Sequence, residues 1–214
     1  SPEHEKRIQT VNGRVRRCAS QEGNCVYYSL ALGLADARTQ QLAERLLRWQ
    51  WADGGWNCDK LPEAHVSSFH ETWIPLRGLI YYVRASGDPA AQRSVERAAE
   101  VFLSRQMYKR RRDGEVIDRN FILLHYPNYW HYDFLAGLKV IAEAGMIADH
   151  RANAALDLLE SKRLEDGGFP AEARYYRVDE KPLSGHSRVD WGGTSKRRMN
   201  PFVTVDALGV LQAA

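Results

Sequence analysis

Gln50-Trp51-Ala52-Asp53-Gly54-Gly55-Trp56, followed by Ser67-Ser68-Phe69-His70-Glu71-Thr72, is the stretch whose reading decides the fold. A glycine just past the last helical turn takes positive φ at little cost, so it caps the final carbonyls and reverses the chain. The sequence therefore predicts a helix that stops at about Asp53. A large aromatic directly behind such a stop folds back on the helix it has left and buries a large area, so Trp56 reads as a staple between layers. Behind it, Phe69, Trp73, Leu76, Ile80 and Val83 form one stripe, while Ile74, Leu79, Tyr81 and Tyr82 lie off it, as expected of a helix buried on several sides.

The unit recurs. Weaker copies are Asp113-Gly114-Glu115-Val116 and Asp166-Gly167-Gly168-Phe169, at spacings of 60 and 53 residues. A repeat with a fixed physical role implies stacked units that cannot bury their cores alone.

Outward from this stretch, mostly buried and amphipathic helices alternate. Buried helices are predicted over 24–34, behind Asn24 as N-cap, over 68–85, over 131–145 and over 201–214. Amphipathic ones are predicted behind Thr39, over 90–107 and over 149–164. Pro75 falls in the first two turns of its helix, where it is tolerated or bends it. Residues 118–130 are irregular and strongly aromatic. Residues 170–200 lack periodicity and read as a long loop, the kind that in a compact domain is more often functional than idle. Residues 1–20, with Lys6, Arg7, Arg14, Arg16 and Arg17, read as a basic solvated arm or the remnant of an upstream repeat, ahead of a single domain over 21–214.

Composition narrows the function classes. Of 214 residues, 30 are basic and 27 acidic, a net charge of +3 without a long one-sided block, which gives no support to nucleic-acid binding. No apolar run reaches membrane-spanning length, because Arg77 and Arg84 interrupt the greasiest helix. Three cysteines, Cys18, Cys25 and Cys58, are an odd and sparse set that fits reduced thiols in a cytoplasmic protein. The chain begins at Ser1, with neither Met nor a signal peptide, which points to a start partway into a longer protein.

The Gln50–Trp56 and Ser67–Thr72 motifs, with Asp166-Gly167-Gly168-Phe169, resemble the prenyltransferase and squalene-oxidase repeat superfamily, which includes squalene-hopene cyclases and the β subunits of protein prenyltransferases. More closely, residues 20–214 look like bacterial squalene-cyclase-like proteins of unassigned function. The resemblance implies an all-α fold, an α/α toroid of inner and outer helices around a cavity, here an incomplete or open ring, since seven helices are fewer than the roughly twelve of six stacked hairpins. The sequence departs from the family in lacking the Asp-x-Asp-Asp acid motif of triterpene cyclases and the Asp-Asp-x-x-Asp cluster that holds magnesium diphosphate.

Candidate chemistry follows from aligning the inner helices on Gly33, Gly78, Gly137 and Gly209, which sets Cys25, His70, Tyr129 and Pro201 at one level. The resemblance implies a zinc ion near the starts of inner helices, with Cys25, His70 and Cys58 as ligands, and Asp59 nearby; a buried thiol beside a hydrogen-bonded histidine is the other reading. His70, Glu71, His131 and Asp133 are the candidate acids and bases, although Asp133 and Glu71 each also suit a helix cap. Tyr28, Trp73, Tyr129 and Trp130, with Cys25, are expected to line the cavity, where aromatic rings stabilise a cation or stack on an apolar or sugar substrate. Three function classes remain open. These are a toroid acting on an isoprenoid-like apolar molecule, a non-catalytic helical scaffold for a protein partner or a second copy of the chain, and a carbohydrate-active α/α enzyme working through Glu71 and Asp133.

Overall fold

In the computed structural model, which describes residues 10–214, seven α-helices are found among those residues: α1 Ala19–Ala31, α2 Ala37–Trp49, α3 Phe69–Ser86, α4 Pro89–Leu103, α5 Phe134–Glu143, α6 Asn153–Glu160 and α7 Pro201–Ala213. Short strands β1 (Thr10–Val11) and β2 (Arg14–Val15) pair antiparallel, and β3 (Arg177–Val178) and β4 (His186–Ser187) pair parallel. The chain is thus mostly helical. It divides into two compact units, Ser1–Phe102 and Leu103–Ala214.

In the first unit α1 lies against α3 with almost no side chain between them. A Cβ added to Gly23 would sit 2.7 Å from the Cα of Pro75, and one added to Gly78 would sit 2.6 Å from the Gly23 carbonyl oxygen. Only glycine allows that approach. Around the contact α3 buries Phe69, Ile74, Leu76, Leu79 and Ile80, while α2 buries the single stripe Ala43, Leu46 and Trp49. The cap of α2 is Asp36, whose carboxylate accepts from the Arg38 and Thr39 amides while the Thr39 hydroxyl accepts from the Asp36 amide.

The Gly-Gly-aromatic stretch closes into a clamp. The Trp51 amide donates to the Gly55 carbonyl (2.8 Å), the Gly54 amide to the Trp51 carbonyl (3.0 Å) and the Ser68 amide to the Trp56 carbonyl (2.9 Å). The Trp56 amide donates to the Thr72 hydroxyl oxygen (3.2 Å), and the Trp56 indole reaches back to the Leu46 carbonyl on the helix it has left (3.0 Å). Trp56 is buried.

The second unit repeats the four backbone-amide bonds of this clamp, without the indole bond that Phe169 cannot make. Leu164 donates to Gly168 (2.9 Å), Gly167 to Leu164 (2.9 Å) and Asn200 to Phe169 (2.8 Å), while the Phe169 amide donates to the Thr204 hydroxyl (2.9 Å). Trp51, Gly54, Gly55 and Trp56 thus match Leu164, Gly167, Gly168 and Phe169, whereas Ser67, Ser68 and Thr72 match Met199, Asn200 and Thr204. The glycines agree as well, since a Cβ on Gly55 would strike Ser67 and one on Gly168 would strike Met199. What differs is the segment between: residues 57–67, 11 in number, against residues 170–199, 30 in number.

Elsewhere in that unit α5 buries Phe134, Leu135, Leu138, Val140 and Ile141, and its Lys139 pairs with Asp206 of α7. Its Gly137, at the position where α3 and α7 carry Thr72 and Thr204, makes room for the Tyr132 hydroxyl, which donates to the Met107 carbonyl (2.7 Å).

Several predicted boundaries shift. Helix α1 starts at Ala19, five residues before the expected N-cap Asn24, and Gly23 lies inside it, packed against the Pro75 backbone. Helix α2 ends at Trp49 and Asp36 caps it, with Thr39 as the reciprocal partner. Helix α4 ends at Leu103, and α5 starts behind Asp133. From Thr10 onward the basic stretch is a hairpin leading into α1, in which Arg16 is buried with its guanidinium 4.6 Å from the centre of the Trp51 ring; Lys6 and Arg7 lie outside the described residues. No helix among the described residues is long and apolar enough to cross a membrane.

Candidate functional site

At the start of α3, in the first unit, the Glu71 carboxylate is buried and faces two thiols. Its Oε2 accepts from the Ser20 amide in the first turn of α1 (3.2 Å), and its Oε1 accepts from the Cys58 thiol (3.6 Å). Cys18 occupies the N-cap position of α1 with no side-chain cap bond. The Sγ atoms of Cys18 and Cys58 and a Glu71 oxygen all lie within 4.8 Å of one another, and no other trio of His, Cys, Asp or Glu among the described residues comes together in this way. Burial, ahead of the Ser20 and Cys58 bonds that oppose it, raises the Glu71 pKa. Burial and then the Glu71 charge push the Cys58 thiol up to about 12.

His70 is half-buried beside this cluster without belonging to it, and Cys25 is exposed on α1. The level that sets Cys25 beside His70 rests on Gly33, yet Gly33 lies beyond the end of α1 in a left-handed turn, whereas Gly78 and Gly137 lie inside their helices. Counted from the helix caps, His70 matches Ser20 instead. The zinc set implied by the resemblance, Cys25 with Cys58 and His70, is therefore not assembled; Cys58 is, with partners the sequence reading did not place beside it.

In the second unit the aromatic segment 118–130 and the long segment 170–199 meet over the start of α5. The ring of Tyr175 lies between His125 (centroids 4.0 Å apart, planes at 12°) and His131 (4.0 Å, 2°), and Trp130 covers the far face of His131 (3.8 Å, 23°). The Tyr175 hydroxyl donates to the Tyr132 carbonyl (2.9 Å), which fixes the stack. Burial lowers the His131 pKa, so at neutral pH this imidazole is held uncharged. Beside the stack Tyr126 lies flat on Phe202 (4.7 Å, 7°), with Trp191 edge-on to both. Tyr129, at positive φ, meets Tyr176 edge-on.

Asp133 is fully buried and structural in its bonds. It caps α5 by accepting from the Ala136 amide (2.9 Å), and its second oxygen accepts from the His125 amide (2.9 Å). The His125 imidazole bonds the Leu123 carbonyl (3.0 Å) and lies 3.4 Å from Asp133. Of the four candidate acids and bases, His70 and Glu71 adjoin in the first unit and His131 and Asp133 in the second. The expected cavity aromatics divide in the same way. Tyr28 is exposed on α1 and Trp73 half-buried in α3, whereas Tyr129 and Trp130 are half-exposed beside the histidine stack.

No protein-family model, curated protein or solved structure matches this chain. The site therefore stands on its own geometry. Sequence reasoning missed Cys18, His125 and Tyr175. Cys18 was legible from its place at a helix cap, had the start of α1 been set correctly. His125 and Tyr175 sit in segments without periodicity, where only long-range packing sets side-chain positions.

Proposed function

We propose that this chain is a toroid-like protein of inner and outer helices, related to the terpenoid cyclase and prenyltransferase fold, that binds an isoprenoid-like apolar molecule on the aromatic shelf of its second unit. One observation supports this most directly. The clamp needs only 11 intervening residues in the first unit, and the 30-residue segment of the second supplies Tyr175, Tyr176 and Trp191 to a set of rings left partly open to solvent, with Trp130 50% and Phe202 39% exposed. Rings held rigidly with one face wet lose little conformational freedom on binding and bring a large apolar area to a ligand. The missing acid motif and the full use of Asp133 in capping favour binding over cyclase or glycosidase chemistry at this place.

Tryptophan emission of the full chain, titrated with farnesol below its solubility limit, tests the reading. A saturable change that Trp130→Ala abolishes is expected. Its absence from the unsubstituted chain refutes the proposal, and a saturable response to an oligosaccharide instead would move the substrate class to sugars.

The scaffold reading has its own observation. α1 and the turn behind it expose Tyr28, Leu32 and Leu34, and α7 exposes Val205 and Leu208, apolar surface that suits a protein partner. Concentration-dependent self-association, measured by sedimentation, would favour it.

A further inference from the structure

We infer that Cys18, Cys58 and Glu71 form a binding site for a thiophilic divalent cation of the zinc type. The inference is independent of the ligand shelf, because all three residues belong to the first unit.

The argument begins with the repeated clamp. Cys58 stands two residues after Trp56, and the matching residue after Phe169 is Ala171; Glu71 stands three residues after the cap Ser68, and the matching residue after Asn200 is Val203. Ala171 is 2% and Val203 0% exposed. The framework is therefore satisfied at these positions by small apolar side chains, and in the first unit it holds a half-buried thiol and a buried carboxylate instead. Placing such groups inside is costly unless something compensates them. The third donor comes from the preceding helix: Cys18, at the N-cap position of α1, whose side chain makes no cap bond.

The geometry suits a four-coordinate ion. With metal–sulfur bonds of about 2.3 Å and metal–oxygen bonds of about 2.0 Å, tetrahedral donors stand roughly 3.5–3.8 Å apart. Cys58 Sγ and Glu71 Oε1 already stand 3.6 Å apart, and the remaining separations, at most 4.8 Å, close by small side-chain rotations. Glu71 Oε2 is held by the Ser20 amide, which leaves Oε1 directed at the sulfurs and supplies the outer bond that orients a ligating carboxylate. Two thiolates and one carboxylate carry three negative charges, of which a divalent ion neutralises two, each thiol giving up its proton to solvent on binding. Three protein donors leave the fourth position to water or another ligand.

The full chain, stripped by chelator and reduced, is titrated with Co(II) and then with Zn(II). The expected result is one equivalent bound, thiolate-to-cobalt charge-transfer absorption that zinc bleaches, and a raised Tm in the metal-loaded form. Cys58→Ala, which installs the residue found at the matching place in the second unit, is expected to weaken binding more than about 100-fold. Cys25→Ala, on the exposed face of α1, is expected to bind as the unsubstituted chain does. Absence of the charge-transfer band from the reduced, folded, unsubstituted chain overturns the inference, as does binding that survives Cys58→Ala and Cys18→Ser or is lost in Cys25→Ala. Circular dichroism of each variant separates loss of metal from loss of fold.

Discussion

Replacing Thr72 by Val tests the clamp at one atom. The side chain is fully buried, and its hydroxyl oxygen accepts the Trp56 amide at 3.2 Å while donating to the Ser68 carbonyl at 2.6 Å. Valine keeps the shape and removes the acceptor, so a buried amide loses its partner, at a cost of about 1–3 kcal/mol. Thr72→Ser keeps the acceptor and loses one buried methyl, about 1 kcal/mol. Denaturant unfolding measures both costs, but the two ranges meet, so the deciding assay is hydrogen exchange at the Trp56 amide. An orphaned amide is expected to exchange roughly 5- to 160-fold faster in Thr72→Val, the same energies expressed as a ratio, and to stay protected in Thr72→Ser. Unchanged protection of Trp56 in a folded Thr72→Val protein would refute the claim that this hydroxyl closes the turn.

Other outcomes follow from the same contacts. Gly55→Ala places a Cβ 2.5 Å from Ser67 and Thr72 and is expected to destabilise the chain by about 1–3 kcal/mol, whereas Gly209→Ala, inside α7 with nothing within 4 Å, is expected to stabilise it by about 0.5–1 kcal/mol; urea midpoints of the two variants should move in opposite directions. Burial depresses the His131 pKa, so its contribution to stability is full above the unfolded value of about 6.5 and is lost as pH falls through the folded one. His131→Phe, which keeps a ring between Trp130 and Tyr175, should flatten that part of the stability profile measured between pH 7 and pH 4.

The helical character of the chain and the burial of Trp56 and Phe169 behind their glycine turns were legible because they depend on local patterns: a 3.6-residue apolar period, and a glycine free to take positive φ, as Gly54 and Gly167 do. The buried helices expected over 24–34 and 201–214 instead expose Leu32, Leu34, Val205 and Leu208. The start of α1 was not legible. In sequence Asn24 reads as an N-cap, and only the Pro75 backbone pressed against Gly23 reveals that the helix already runs through this point. Gly33, which lies beyond the end of α1 rather than inside it, displaced the level on which Cys25 was set beside His70, and with it the expected donor set. Cys58 and Glu71 were visible as chemistry, while Cys18 lay in a stretch read as an arm. The histidine and tyrosine stack was the least legible part, since segments 118–130 and 170–199 are far apart in sequence and meet only in the folded chain.

Because each clamp pins both ends of the segment it encloses, the length of that segment is decoupled from the helices on either side. Going from 11 to 30 residues raises the loop-closure cost by only about 0.9 kcal/mol. Residues 57–67 thus mark a graft point, where a recognition loop borrowed from elsewhere could be seated without redesigning the helical frame.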